Sequence, residues 1–279
     1  MKIIIAKNAG YCFGVRDAVD LAHDIADKKG KVYMLGDIVH NEKVVNDLSL
    51  AGAKVVESLD DIPKDSTVLF RAHGTKDEVW EEASKRSLNI KDATCPLVYQ
   101  IHNDVKELHA EGRKIIVIGD HGHDEVVAIA DKAPNTIVIS TTEEASKIKK
   151  IKKAGIVSQS TQAMENVQEI VTILMTKIFD LRFVNTICYP TKRNQEQIKD
   201  LAVIVDVMII IGSFTSANSK RLTSLSYKLN KKTYQVADES DVDKEWFTNC
   251  SIVGISAGAS TPDYLITNIK KRIESLGKK

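Results

Sequence analysis

Three cysteines stand far apart along the chain, and each comes shortly before a predicted helix. They are Cys12, Cys95 and Cys188, and Pro96 takes the first helical position after the second of them. Scattered thiols without a close Cys-x-x-Cys pair fit poorly to structural zinc, which usually has four closely spaced ligands. They fit an iron–sulfur cluster with one iron free of protein ligand. On spacing alone, inert buried thiols and catalytic zinc remain alternatives.

Three histidines form a second group, because His40, His73 and His123 each follow a predicted strand beside a glycine or another small residue. A lone loop histidine is usually solvent-facing or structurally satisfied, but three in corresponding positions suggest a shared role. Further hydroxyl and amide donors follow later strands. These are Thr161, Ser216, Asn218 and Ser260. Together with amides at helix N-termini, such side chains suit diphosphate oxygens. The chain has no Walker-type or Gly-x-Gly-x-x-Gly pattern, so nucleotide binding is unsupported.

One carboxyl group lies beside these histidines. Glu125 stands two residues after His123 in His-Gly-His-Asp-Glu-Val. A carboxylic acid there could protonate a substrate carbon or hydroxyl group. The alternative is an ordinary glutamate in the first turn of a helix, where negative charge is favoured.

Short β-branched runs alternate with longer amphipathic patterns, which indicates βαβ units and parallel sheets. The predicted strands are Lys2–Ala6, Lys31–Leu35, Thr67–Phe70, Lys114–Ile118, Thr136–Ile139, Gly155–Ser158, Val203–Ile211, Thr233–Val236 and Ser251–Ile255. The predicted helices include Val15–Lys28, Asn41–Ala51, Lys76–Lys85, Pro96–Glu111, Met164–Ile178, Arg193–Leu201, Ser219–Leu229 and Tyr264–Leu276. Nearly all the Cys, His and hydroxyl clusters lie where a strand ends and a helix follows. In open α/β sheets that edge binds ligands.

The spacing of the cysteines suggests three small α/β units of similar size, each contributing one thiol. We predict a first unit at 14–95, a second at 96–188, and a third at 189–279 plus 1–13, in a loose pseudo-threefold arrangement around a shared centre.

The charges of the chain nearly cancel, with 39 Lys and Arg against 38 Asp and Glu. This balance gives no reason to expect nucleic-acid or membrane binding. Without a membrane span or signal peptide, we expect a cytoplasmic protein.

The motifs together resemble one enzyme family, 4-hydroxy-3-methylbut-2-enyl diphosphate reductase. They run in order along nearly the whole chain: Ala9–Val15, Gly36–Asn41, Arg71–Gly74, Asp92–Pro96, Ser158–Thr161, Asn185–Cys188, Ala217–Leu222 and Ala257–Asp263. The resemblance implies three α/β units around a cavity that holds one [4Fe–4S] cluster. It also implies a two-electron reductive dehydroxylation of an allylic diphosphate, giving isopentenyl and dimethylallyl diphosphates. Electrons would come singly from a ferredoxin or a flavodoxin.

The resemblance also implies roles for single residues. Cys12, Cys95 and Cys188 would ligate the cluster and leave its fourth iron to the substrate. The diphosphate would be held by His40, His73, Ser216, Asn218 and Ser260, with His123 lining that site. Thr161, rather than Ser160, would hydrogen-bond the substrate, and Glu125 would deliver protons.

Three positions depart from the family pattern. Ala217 stands where the family usually has Ser, which leaves its backbone amide as the remaining donor to the substrate. Asp124 replaces the Pro expected before Glu125, and Asn194 replaces the Arg expected before Gln195.

Two other function classes are compatible with the cysteines. An iron–sulfur redox sensor or carrier would need the three thiols. It would need neither the histidine, hydroxyl and amide donors suited to a diphosphate nor Glu125. A zinc hydrolase would use Cys and His ligands. Brown colour in an anaerobic preparation excludes zinc alone, and turnover of the substrate separates a reductase from a sensor.

Overall fold

The strands and helices alternate along almost the whole chain in the structure, a computed structural model that describes residues 1–29 and 32–277. The strands are β1 Lys2–Ile5, β2 Val32–Leu35, β3 Ala53–Val56, β4 Thr67–Phe70, β5 Asn89–Asp92, β6 Lys114–Ile118, β7 Ile137–Ile139, β8 Ile151–Ser158, β9 Ile178–Phe183, β10 Val207–Ile211, β11 Thr233–Val236 and β12 Ile252–Ala257. The α-helices are α1 Phe13–Lys29, α2 Glu42–Leu50, α3 Asp77–Lys85, α4 Pro96–Ala110, α5 Asp124–Ala130, α6 Thr142–Lys147, α7 Met164–Met175, α8 Tyr189–Ala202, α9 Ala217–Leu229 and α10 Asp263–Leu276. Short 3₁₀ turns occupy Leu59–Asp61, Glu239–Asp241 and Lys244–Phe247.

These strands form three four-stranded sheets within the described residues, ordered β1-β12-β10-β11, β3-β2-β4-β5 and β7-β6-β8-β9. Every strand pairing is parallel. Parallel neighbours need crossover connections, which the helices supply. The prediction of an α/β protein with mainly parallel sheets is confirmed.

The central strands are buried on both faces, as the apolar run of β6 illustrates. Ile116 and Ile118 pack on one face into a cluster with Ile170 of α7. Ile115 and Val117 pack on the other face with residues of α4. Side chains alternate between the two faces of a strand, so a strand covered by helices on both sides must be apolar throughout.

The chain divides into two compact units. The first unit comprises Met1–Arg16, His40–Val44 and Tyr189–Lys279, and the second comprises Asp17–Val39 and Val45–Cys188. Sheet β1-β12-β10-β11 belongs to the first unit, and the other two sheets belong to the second. The three-unit division and the pseudo-threefold arrangement stay predictions.

Sequence patterns missed three strands, β3, β5 and β9, and each lies at the edge of its sheet. Edge strands are covered less completely than central ones, so their apolar signal is weaker; in β9, Phe179 is 92% exposed. The prediction of a strand over Val203–Ile211 was wrong in its first part, since α8 ends at Ala202 and β10 begins at Val207. Lys31, the predicted start of β2, lies outside the described residues.

Across residues 1–29 and 32–277, none of the helices combines the length and the apolar character needed to cross a lipid bilayer.

Candidate functional site

Every predicted site residue lies shortly after the carboxyl end of a strand. Cys12, Cys95 and Cys188 follow β1, β5 and β9, respectively. His40, His73 and His123 follow β2, β4 and β6. Thr161, Ser216 and Ser260 follow β8, β10 and β12. Two of the missed edge strands therefore position two of the predicted cluster ligands. In open α/β sheets, ligands usually bind at this edge.

In the second unit, Cys95 is the residue directly before α4, whose first helical residue is Pro96. Its backbone N–H donates to the carbonyl of Ala72 at 3.0 Å, which places it beside the segment that carries His73. Burial raises the pKa of the Cys95 thiol, although backbone N–H groups of Leu97 and Val98 face the sulfur and oppose that shift. A half-buried sulfur that faces helix amides suits a thiolate ligand.

A chain of hydrogen bonds leads from Cys188 to Glu125 in the same unit. The N–H of Cys188 donates to the carbonyl of Ser160 at 2.9 Å. Ser160 in turn donates twice to Glu125: its N–H reaches Oε1 at 2.6 Å and its hydroxyl reaches Oε2 at 2.9 Å. Glu125 is only 2% exposed, so Ser160 contacts both oxygens of a carboxyl group that is shielded from solvent.

Two predicted site histidines of the second unit, His73 and His123, lie next to each other near Glu125. His123 precedes α5 and accepts the N–H of Glu125 on Nδ1 at 3.2 Å. Its ring stands edge-on to that of His73, with the centroids 5.5 Å apart and the planes at 88°. Because Nδ1 accepts, the neutral ring of His123 carries its proton on Nε2.

Thr161 lies next to Ser160 and is half-buried, and its hydroxyl accepts from Nε2 of Gln159 at 3.3 Å. Gln159 is fully buried, and its Oε1 accepts the N–H of Asp120 at 3.0 Å. The amide of Gln159 thus joins the Thr161 segment to the loop that leads to His123. Ser160 is hydrogen-bonded to Glu125, whereas its half-buried neighbour Thr161 is hydrogen-bonded to Gln159.

In the first unit, the turn around Ser260 joins two predicted site segments. The hydroxyl of Ser260 donates to the carbonyl of His40 at 3.2 Å, and Asn41 Nδ2 donates to the carbonyl of Ser260 at 2.8 Å. The N–H of Cys12 donates to the carbonyl of Ala259 at 3.2 Å. These hydrogen bonds bring the segments that carry Cys12, His40 and Ser260 together within the first unit.

The start of α9 supplies the other predicted donors of the first unit. Ser216 caps the helix by accepting the N–H of Ser219 at 3.3 Å, and Ala217 is its first residue. Asn218 Nδ2 and Ser219 Oγ are buried and have no hydrogen-bond partner among the residues described. A side chain at Gly258 would collide with Ser219, so the turn after β12 can approach the start of α9 because this position is glycine.

Sequence reasoning missed three contributors: Ser160, which holds Glu125; Asn41, which holds Ser260; and Ser219, with its buried hydroxyl. Each lies within a motif that was recognised, but nothing in the local sequence distinguishes a polar residue that supports a site from one that contacts a ligand.

Two of the residues that depart from the family pattern have clear surroundings in the structure. Asp124 is paired with Arg71, and Asn194 is buried in α8.

Comparisons with known proteins add to this geometry. The family described as LytB protein matches residues 3–274, nearly the whole chain. This chain belongs to the LytB family. The resemblance inferred from the motifs is thereby confirmed.

Relatives in the LytB family cover the full length of the chain. The 4-hydroxy-3-methylbut-2-enyl diphosphate reductase of Geobacter metallireducens is 40% identical over 277 residues, which is 99% of this chain and 98% of that protein. The protein of the same name from Geotalea uraniireducens is 40% identical over 279 residues, 100% of this chain and 99% of its own.

Two solved structures share the LytB-family fold. The E-1-hydroxy-2-methyl-but-2-enyl-4-diphosphate reductase from Plasmodium falciparum superimposes with a TM-score of 0.93 at 28% identity, covering 98% of this chain and 87% of that one. A structure of (E)-4-hydroxy-3-methyl-but-2-enyl diphosphate reductase, described as the terminal enzyme of the non-mevalonate pathway, is 40% identical with a TM-score of 0.72, covering 98% and 99%.

Proposed function

We propose that this protein is a 4-hydroxy-3-methylbut-2-enyl diphosphate reductase, the enzyme of the last step of the non-mevalonate route to isoprenoid precursors. The observation that carries the proposal is the family match over residues 3–274, together with 40% identity to reductases over the full chain. The reaction uses two electrons and two protons, releases the substrate hydroxyl as water, and yields isopentenyl and dimethylallyl diphosphates.

A [4Fe–4S] cluster held by Cys12, Cys95 and Cys188 is the cofactor of this proposal. All three thiols are half-buried and follow strands, and amide N–H groups face the sulfur of Cys95. Thiolates in such settings are the usual ligands of iron–sulfur clusters. When bound, the cluster would pass electrons to the substrate one at a time. A ferredoxin or flavodoxin is the donor that we propose.

The diphosphate would be bound in part by donors of the first unit. An unpaired buried donor costs about 1–3 kcal/mol, so Asn218 Nδ2 and Ser219 Oγ would gain from an anionic oxygen. Backbone N–H groups at the start of α9, including that of Ala217, add favourable charge for an anion. We assign Ser216, His40 and Ser260 to the same role, because their segments are joined to each other or to α9.

In the second unit, His73 and His123 would bind the diphosphate and Thr161 would hydrogen-bond the substrate. Because Nδ1 of His123 accepts the backbone N–H of Glu125, the neutral ring would donate to the diphosphate through its Nε2–H group. The edge-to-face contact with His73 limits how either ring can turn.

Glu125 would deliver protons to the substrate. Loss of hydroxide from an allylic carbon is unfavourable unless the oxygen is protonated as it leaves, and the reduced allyl fragment needs a second proton. The hydroxyl of Ser160 can rotate, so it can donate to the carboxylate or accept from the acid at Oε2. Glu125 therefore keeps a hydrogen bond to Ser160 in both protonation states.

The proposal includes the arrangement expected from the sequence: three α/β units, 14–95, 96–188 and 189–279 plus 1–13, with pseudo-threefold symmetry around the cluster, in a cytoplasmic protein. The test is anaerobic purification followed by an assay with 4-hydroxy-3-methylbut-2-enyl diphosphate and a reduced one-electron donor. Consumption of the donor with formation of both products is expected. A brown protein that forms no product from this substrate would contradict the proposal and favour a redox sensor.

A further inference from the structure

Helix α5 carries Glu125 in its first turn and lies against the segment after β4 that carries His73. Two groups of ionic contacts join them, one at each end of α5. The crevice between the two elements has a volume of about 200 Å³ and is lined by Arg71, Thr75, Asp124 and Val127, among others. Because side chains do not fill this space, close packing alone does not set the separation of the two elements.

The first contact is an ion pair between Arg71 and Asp124, the residue directly before Glu125. Arg71 is itself anchored, since its Nε donates to the carbonyl of Leu35 at 3.2 Å. Its guanidinium group occupies the space that a side chain at Gly36 would need, and Gly36 has a positive φ of 69°. The first turn of α5 is thus tied through Arg71 to the end of β2.

The second contact lies just beyond the last turn of α5. Lys132, whose side chain is only 3% exposed, is paired with Asp77, and its Nζ donates to the carbonyl of Thr75 at 3.2 Å. Asp131 accepts the backbone N–H of Asp77 at 2.8 Å. These bonds hold the segment after His73. The Asp77 side chain is 59% exposed, but the buried Lys132 ammonium group would be an uncompensated charge without these oxygen partners, so it holds them in place.

Between the two contacts the backbones are close. A Cβ placed on Gly74 would lie 3.3 Å from Ala128 of α5 and 2.9 Å from the ring of His102. The segment from Arg71 to Asp77 is therefore held at both ends and approaches α5 closely in the middle. The ring contact of His73 with His123 lies along the same boundary.

We propose that the Arg71–Asp124 and Lys132–Asp77 ion pairs set the distance between Glu125 and His73, so that Arg71, Asp124 and Lys132 are positioning residues for proton delivery. The inference rests on the proposed function, in which Glu125 delivers protons and His73 binds the diphosphate. Small displacements of a reacting group reduce rates strongly, by up to about a hundredfold for 1 Å. Rigid support is what keeps such a group in place.

The test compares Asp124→Ala and Lys132→Met with the conservative variant Asp124→Glu in the anaerobic holoenzyme. We expect Asp124→Ala to lower kcat by about tenfold to a hundredfold with visible absorbance unchanged, and Asp124→Glu to recover most of the loss. Lys132→Met should raise KM, because it releases the segment after His73. Glu143→Gln, which removes an exposed pair with Lys147, is the control and should match the wild type.

A double-mutant comparison asks whether Asp124 acts through Glu125. In a Glu125→Gln background, Asp124→Ala should cause little further loss, since the group that it positions is already inactive. Equal losses in both backgrounds would overturn the proposal. If Asp124→Ala does not fold, Asp124→Asn, which keeps the shape and removes the charge, is subject to the same expectations.

Amide hydrogen exchange provides a readout independent of turnover. Exchange over residues 123–127 should accelerate in Asp124→Ala, and exchange over residues 73–77 should accelerate in Lys132→Met, with neither change in Glu143→Gln. Unchanged exchange in both variants would overturn the proposal even if activity fell. A wild-type protein without turnover would contradict the proposed function instead, and the exchange result would still decide whether the ion pairs hold these segments.

Discussion

Ser160 and Glu125 are joined by two hydrogen bonds across the second unit, one from the serine N–H to Oε1 at 2.6 Å and one from its hydroxyl to Oε2 at 2.9 Å. The residues lie 35 positions apart in the chain. Ser160 also accepts the N–H of Cys188. One residue after β8 therefore links the proposed proton donor to the backbone of a proposed cluster ligand.

Replacing Glu125 by Gln should abolish most turnover. The amide keeps the shape and can still meet Ser160, but it cannot transfer a proton, and loss of a general acid typically costs about 10²–10⁴-fold in rate. Turnover with 4-hydroxy-3-methylbut-2-enyl diphosphate is the measurement, with Glu169→Gln on the exposed face of α7 as the matched control. A Glu125→Gln enzyme with more than about a tenth of normal turnover would mean that the proton comes from elsewhere.

Replacing His73 by Ala should weaken substrate binding and leave the cluster intact. A hydrogen bond to a charged group is worth about 1.5–3 kcal/mol, which corresponds to a loss of affinity of roughly tenfold or more. The dissociation constant of the substrate and the visible spectrum are measured together. His121→Ala is the control, because His121 lies in the neighbouring loop, is 55% exposed and contacts Glu144 instead. Equal affinities of the His73→Ala and His121→Ala proteins would count against the diphosphate site.

Replacing Cys95 or Cys188 by Ser should strip or degrade the cluster, since a hydroxyl group is a poor ligand for iron. Cys250→Ser is the internal control. The sulfur of Cys250 contacts the carbonyl of Ile252 at 3.5 Å, and the residue packs against the core of the first unit. Iron content and visible absorbance should fall in the first two proteins and stay normal in the third. The reverse pattern would show that the ligands have been assigned wrongly.

The acid stability of the fold should depend on His102 of α4. Burial lowers its pKa from the ordinary value of 6.5 to about 4, and the charge of Lys132 adds to the effect. As the pH falls, His102 becomes protonated near pH 6.5 in the unfolded chain. In the folded chain it stays neutral until about pH 4. Stability is therefore lost as the pH falls through that window, by an amount on the order of 3 kcal/mol.

His102→Leu, which removes the titrating ring from the same helix position, should flatten this dependence between pH 7 and about 4.5. The free energy of unfolding from urea titrations at several pH values is the measurement. His109→Leu, an exposed histidine on the same helix, should keep the wild-type slope. If His102→Leu shows the full wild-type loss, another group must be responsible.

The chain by itself determined the class of fold, the central strands and the order of the motifs. Strands such as β6 and β10 are apolar throughout because both faces are covered, so their burial is visible in the local composition. The Cys, His and hydroxyl positions were also predictable, because the loops after parallel strands all begin at one edge of the sheet. These are properties of residues that lie near each other in sequence.

Tertiary structure decided the features that depend on distant partners. The edge strands β5 and β9 take their extended form by pairing with β4 and β8, since their own sequences carry little apolar pattern. Ser160 after β8 is hydrogen-bonded to Glu125 of α5, and Arg71 after β4 is paired with Asp124 of the same helix. Hydrogen bonds and ion pairs depend on angstrom-scale positions in space. The periodicity of a sequence indicates on which face of a helix or strand a side chain lies. It does not indicate which residue from a distant part of the chain that side chain contacts.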